Sequence, residues 1–559
     1  MTRRPGRAGA AGQAGLIAIG VSVACTFAVA AAGPSVMEPA LPGRPGQPPW
    51  SLGLHPSPYL AAGMTAAGLA AGTLGLVLTL RAARRGWHFP ARAVLLAGLL
   101  AAAALTLVPP IGSSDHLSYA AYGRMLVTGH NPYTTTPAQL AALGDPVARA
   151  VQDWSATPSV YGPLATAIQG LASLAGGTSA RLTVFVLGLA NLAAFAVTAL
   201  LLHRMTRRDP AWQLRAALLW AANPLLLQVL VAGAHVDGQA VVFGVAAVAL
   251  ISPVGLVGRA APPEGGPGGW VPPEGKAGGS GGGVPPASRA AIAGVLAGLG
   301  FAIKVTAALV GLGLAIALVL VAGRRWRELA PRLAALGAGF AVTAGIAVAI
   351  GGSAMLEQSS RASDMVSIGS PWRVIRTVMH LAVAGTAATD IVKAGAVALA
   401  VLLAVLLIRG LPGAAGWQAQ GRATYAAVPF ALALAWLFAW PYVLPWYDAL
   451  GWALLPLVPL GSAEAGLPGV EGLTWLLLAR TAALGFGYLP ARQTDAALPA
   501  GLGWLQPVLR HGATPGVIAA ATVWLIILML RARSPAPDRR VRVDPAAGAS
   551  EAPARGAVR

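Results

Sequence analysis

Charge is what this chain has least of. Asp, Glu, Lys and Arg make up 10% of its 559 residues, where an ordinary soluble domain carries about 25%. A chain this poor in charge and 56% hydrophobic does not read as a string of soluble domains. Cysteine is nearly missing: Cys25 stands alone, which excludes an intrachain disulfide. No Walker phosphate loop and no Rossmann glycine pattern occurs, so nothing points to a nucleotide site and no cofactor is expected. No internal repeat is visible, which argues against an inverted-repeat transporter.

In place of charge there are apolar runs, many of about 20 residues, the length that crosses a bilayer. They fall near 12–32, 58–80, 93–110, 181–202, 211–232, 238–257, 289–303, 305–322, 331–351, 384–408, 424–440, 443–461, 472–489 and 514–530. The expected architecture is an all-α polytopic membrane protein, a bundle of about 12–14 transmembrane helices with a large first outer loop carrying surface helices. The net charge of +20 could suggest nucleic acid, but its distribution assigns it to topology. With the N-terminus inside, the inner loops hold Arg81, Arg84 and Arg85, then Arg204, Arg207 and Arg208, then Arg324, Arg325 and Arg327, then the arginine-rich tail from Arg531. Cytoplasmic loops collect Lys and Arg in this way, so no nucleic-acid partner is needed; the partner is the lipid bilayer.

The organisation follows. Transmembrane helices fill 1–110, and 111–180 is an outer loop. Reading Leu164–Ala175 as a further span would put His203 to Arg208 outside, against the charge rule. Helices resume over 181–257. Residues 258–288, rich in Gly and Pro, read as a disordered cytoplasmic insertion. More helices and outer loops occupy 289–531, and 532–559 reads as a disordered basic tail. Ala28-Val29-Ala30 is similar to a signal-peptidase site, but the spans that follow favour an uncleaved anchor.

Polar residues gather at the outer face. Directly after the third apolar run comes Ser114-Asp115-His116-Leu117-Ser118-Tyr119-Ala120-Ala121-Tyr122-Gly123-Arg124. A carboxylate at a membrane surface, with its pKa raised by partial desolvation, suits a general base that takes the proton of an acceptor hydroxyl; its alternative role is a helix N-cap. His116 is a rival base, and Tyr119, Tyr122 and Arg124 are candidate substrate contacts. His235 and Asp237, between two spans, fit sugar or phosphate contacts or a loop-end polar pair. Two ligands are too few for a metal site, so none is assigned. Lys304, at the outer turn of a hairpin, and Arg373 are candidates for holding a phosphate leaving group by charge; snorkelling is the other reading of Lys304. Trp446 and Tyr447 lie in an aromatic run that fits an interfacial belt or a sugar platform. Arg480 and Lys393 fall inside spans, where charge is costly.

The pattern Asp115-x-x-Ser118-Tyr119-Ala120-x-x-Gly123-Arg124, Gly129-x-Asn131-Pro132-Tyr133, Tyr161-Gly162-Pro163-Leu164 resembles the actinobacterial polyprenyl-phosphate-mannose-dependent α-1,6-mannosyltransferases, which are GT-C membrane glycosyltransferases. Asn223-Pro224-Leu225, His235-x-Asp237, Ala302-x-Lys304-Val305 and Trp446-Tyr447 carry the likeness over roughly 90–460. The resemblance implies a GT-C-type bundle, a polyprenyl-phosphate mannose donor, a glycolipid or mannan acceptor, and inverting transfer at the outer face of the plasma membrane with Asp115 as base. Many GT-C enzymes carry two adjacent acids in this loop; here Asp115 is flanked by Ser114 and His116. Alternatives are a GT-C enzyme for another lipid-linked sugar and a polytopic transporter or flippase, which would place its ionisable groups at mid-membrane depth.

Overall fold

The computed structural model describes residues 6–252, 285–383, 385–411, 424–458, 470–491 and 498–532. Within them every regular element is helical and no strand occurs. In chain order the helices are α1 Arg7–Ala32, α2 Pro58–Arg84, α3 Ala91–Thr106, α4 Asp115–Val127, α5 Pro137–Ala142, α6 Pro163–Gly176, α7 Ala180–Met205, α8 Pro210–Leu219 and α9 Pro224–Leu226, which runs into a π-helical turn. Then come α10 Asp237–Ile251, α11 Ala287–Ile303, α12 Ala308–Ala322, α13 Trp326–Ser363, α14 Pro371–Met379, α15 Gly385–Gly410, α16 Thr424–Ala439, α17 Ala449–Leu454, α18 Val470–Gly487 and α19 Thr514–Arg531. Among the described residues, eight helical stretches are long and apolar enough to cross a bilayer, and four shorter apolar helices accompany them. Ile17, Leu100, Ile350 and Val401 stay exposed on these helices, as lipid-facing positions should. The molecule is an all-α polytopic membrane protein. The Gly/Pro-rich insertion lies outside the described residues apart from 285–288, whose last two residues begin α11, and so does the tail from 533.

Contacts sort the helix ends into two sets. At one end Arg84 pairs with Glu471, and Trp212 and Arg215 donate to the carbonyls of Pro456 and Leu455. At the other, Trp50 N–H meets Leu107 O, Arg181 Nε reaches Leu41 O, Ile111 N–H meets Ala232 O and Ala491 N–H meets Val36 O. The second set gathers the loop around α4 to α6 and the starts of α7 and α10 at one end of the bundle.

One expected span takes another form. Residues 443–461 read as a helix, but the described part passes between the two ends as a 3-10 turn Pro445–Asp448, the short α17 and a second 3-10 turn Leu455–Leu457. Pro441, Pro445 and Pro456 explain the breaks, since each lacks the amide that a continuous helix needs. Backbone that irregular survives at membrane depth only inside protein, and every residue from Trp446 to Val458 except Tyr447 is buried. Likewise α13 runs well past the expected limit at 351, bending at Gly352, where φ is +68°.

The broken segment is fixed by charge. Asp448 and Arg480 form an ion pair with both side chains fully buried. Thr481 Oγ1 donates to Asp448 Oδ2 at 2.6 Å, and Trp452 Nε1 donates to Thr481 at 2.9 Å. Lys393, the other charge within an expected span, pairs with Asp364. Removing one partner of a buried pair strands the other, at a cost of about 3–5 kcal/mol. Arg480→Met should therefore sharply lower the thermal midpoint in detergent, and adding Asp448→Asn should restore much of it. An unchanged midpoint in the single variant would show that the pair is dispensable.

Candidate functional site

The site starts from two close backbone approaches. α4 lies so near α6 that a Cβ on Gly123 would stand 2.1 Å from the carbonyl oxygen of Gln169. A Cβ on Gly162 would meet Ala302 O at 2.2 Å, and Gly162 N–H donates to Ile303 O at 3.0 Å. Only glycine fits at either place. The first sets the helix that begins with Asp115; the second bolts the Tyr161 turn to the end of α11, where the next residue is Lys304.

Around these fixtures Asp115, His235, Asp237 and Lys304 gather. Asp115 is the first residue of α4, not its N-cap; that position is Ser114, whose side chain caps nothing. Its Oδ2 lies 3.6 Å from His235 Nδ1. The same ring nitrogen is 3.4 Å from the Tyr119 hydroxyl, to which the Tyr161 hydroxyl donates at 3.2 Å. His235 follows the π-helical turn and Ala234, whose φ is +53°, a strained turn of the kind that clusters at functional sites. Its ring stacks on Trp446 at 3.4 Å between centroids. Asp237 opens α10 and accepts from Lys304 Nζ at 2.7 Å, while that ammonium sits 3.7 Å from the centre of the Tyr447 ring, a cation–π contact.

Burial, then the negative charge of Asp153, pushes the Asp115 carboxyl up to about 6; Lys304 and hydrogen bonds from Ser113 and Trp154 oppose the shift. Burial and then Lys304 hold the His235 ring well below its ordinary value, so it is neutral. Burial pushes His116 down to about 3. A group half-ionised near pH 6 and partly withdrawn from water has the properties of a base.

Two cavities lie near this cluster; Asp115 lines neither, but Lys304 lines one and Trp154 the other. One, of about 370 Å³, is lined by Tyr161, Lys304, Leu309, Leu312, Trp436 and Tyr447 among others and is largely apolar. The other, of about 450 Å³, is more polar; its walls include Trp154, Arg373, Arg376, Tyr442 and Tyr488. Tyr442 borders both.

Among the expected residues, the structure brings together Asp115, Tyr119, His235, Asp237, Lys304, Trp446 and Tyr447. It separates Lys304 from Arg373, which lines the second cavity. Tyr122 donates to Thr157 O at 2.9 Å and Arg124 pairs with Asp145 at 2.6 Å, both within the loop. His116 is buried, and neither of its ring nitrogens has a partner among the described residues. Sequence reasoning missed Asp153 and Trp154, although a signal was present: 111–180 holds only three acids, Asp115, Asp145 and Asp153. The adjacent acid pair is absent, yet Asp153 brings a second carboxylate from 38 positions on. Among the described residues, no three His, Cys, Asp or Glu side chains form a metal-holding group.

Residues 16–323 match the family described as alpha-(1->6)-mannopyranosyltransferase, N-terminal domain. An alpha-(1->6)-mannopyranosyltransferase of Mycobacterium tuberculosis is 35% identical over 133 residues, 23% of this chain and 22% of that protein. A probable alpha-(1->6)-mannopyranosyltransferase of Mycolicibacterium smegmatis is 34% identical over 133 residues, 23% of this chain and 24% of its own length. The matched stretch thus spans less than a quarter of either relative. No solved structure matches the chain.

Proposed function

The chain belongs to the alpha-(1->6)-mannopyranosyltransferase family, and from that premise we propose that it transfers mannose from a polyprenyl-phosphate donor to a hydroxyl of a glycolipid or mannan acceptor, with inversion, at the outer face of the plasma membrane. The observation that carries this reading is that one half-buried carboxylate, Asp115, feels the charge of Lys304 at the wall of an apolar cavity and is influenced by Trp154 at the wall of a polar one.

The apolar cavity takes the first part of the donor's prenyl chain, and its exposed wall at Leu312 lets the rest lie in lipid. Lys304 meets the phosphate. Asp237 and the Tyr447 ring hold the ammonium in place, and its remaining N–H bonds stay available to phosphate oxygens. Tyr119, His235 and Trp446 border the sugar. Asp115 takes the proton of the acceptor hydroxyl as that oxygen bonds to mannose C1. The C1–O bond to phosphate breaks, and its electron pair leaves with the polyprenyl phosphate, neutralised by Lys304 without protonation. Arg373 and Arg376 lie on the acceptor's side. Tyr122 and Arg124 serve by holding the loop that carries Asp115.

Asp115→Asn is nearly isosteric and should reduce turnover by about 10²–10⁴ with donor binding retained; near-wild-type turnover would end the assignment. A base works only when ionised. With Asp115 at about 6, kcat/KM should plateau above that pH and fall about tenfold per unit below it. A profile flat down to pH 4.5 would contradict this.

Lys304→Met should instead raise the donor KM, by about tenfold or more for the loss of a charged hydrogen bond, and leave the acceptor KM unchanged. Equal changes in both would assign the lysine to structure.

The side of the membrane is tested by cysteine labelling in a Cys25→Ser background. In intact cells an impermeant maleimide should label Leu143→Cys, in the large loop, and not His88→Cys, between α2 and α3. The reverse pattern would invert the topology.

A further inference from the structure

Trp154 holds a backbone conformation that its residue type avoids. Its φ is +64°, the left-handed region where a Cβ crowds the chain and glycine is the usual occupant. The turn is held from α4: Ser114 Oγ donates to Asp153 Oδ2 at 3.2 Å, and Ser118 Oγ donates to the Asp153 carbonyl at 3.3 Å. Thr157 N–H closes it on Trp154 O at 2.9 Å. The helix that begins with Asp115 thereby grips the residue just before Trp154. The indole favours the ionised form of the Asp115 carboxylate, and the ring lines the polar cavity beside Arg373, Tyr442 and Tyr488.

We propose that Trp154 is the positioning residue of the transfer, its N–H aiming the Asp115 carboxylate and its ring forming the wall against which the acceptor sugar seats. The inference rests on the reading of Asp115 as base. A carboxylate has two oxygens; binding one to a fixed donor leaves the other directed at the acceptor hydroxyl. The indole suits this task because its nitrogen only donates, so it cannot compete for the acceptor's proton. The negative face of its ring offers a surface for the C–H face of a pyranose. The left-handed backbone is then explained: glycine would relax the turn but supply neither the N–H nor the wall.

The test uses the full-length protein in membranes, radiolabelled polyprenyl-phosphate mannose, and an octyl α-1,6-dimannoside as the probe acceptor. Trp154→Gly keeps the backbone conformation and removes the side chain. It should lower kcat by about ten- to a hundredfold, the scale of misplacing a reacting group, and raise the acceptor KM severalfold with the donor KM unchanged. Trp154→Phe keeps a wall and loses the N–H. It should lower kcat with the acceptor KM near wild type, and move the acid limb of the pH profile upward, because that hydrogen bond stabilises ionised Asp115. Wild-type kinetics in Trp154→Gly beside an inactive Asp115→Asn would overturn the inference and leave the base assignment standing. Should Trp154→Gly fail to accumulate, an unchanged kcat and pH limb in Trp154→Phe overturns it equally. An active Asp115→Asn, or wild-type membranes that transfer nothing, removes base and positioning residue together.

Discussion

The buried pair of Asp448 and Arg480 is the fixture on which the rest of the site depends. Both side chains are inaccessible to solvent, so neither charge can exchange its partner for water, and the pair holds or the segment is lost. Asp448 directly follows Trp446 and Tyr447. Fixing it places the Tyr447 ring under Lys304 and the Trp446 ring against His235. Lys304 in turn holds Asp237, and His235 stands beside Asp115. A chain with so few charges places several of them in this one linked set. The segment that bears it cannot be a regular helix, since Pro445 breaks it just where the two aromatics must turn toward the cluster.

The apolar spans were legible because the bilayer imposes a length and a composition, and both are local properties of the chain. Asp115 was legible because a lone carboxylate next to a span stands out against 10% charge. Residues 443–461 misled because hydropathy measures burial and not hydrogen bonding; a proline-broken stretch buried in protein is as apolar as a helix facing lipid. Lys304 and Arg373 looked equivalent, since each is a cation near an outer loop. Only tertiary packing assigns one to the apolar cavity and the other to the polar one. Asp153 and Trp154 were hidden for a related reason: their partners, Ser114, Ser118 and Asp115, lie 35 or more positions away, and no periodicity connects them.

The electrostatics of the cluster are decided by burial. Lys304 attracts the charge of Asp115, and two hydrogen bonds favour its ionised form, yet burial and the Asp153 carboxylate together outweigh them and leave the group near 6. Asp237 engages the same ammonium at 2.7 Å, which fixes the lysine at the wall of the apolar cavity.

On the proposed reading, this arrangement also answers a stereochemical requirement. Inversion needs the acceptor oxygen to approach C1 from the side opposite the departing phosphate. On that reading Lys304 marks the leaving-group side and Trp154 the acceptor side, and Asp115 is under the influence of both. A base placed beside Lys304 alone would have served hydrolysis of the donor as well as transfer. Tying the carboxylate to an aromatic wall on the acceptor's side favours a sugar hydroxyl over water, because a pyranose covers that wall and excludes solvent, whereas a water molecule leaves it bare.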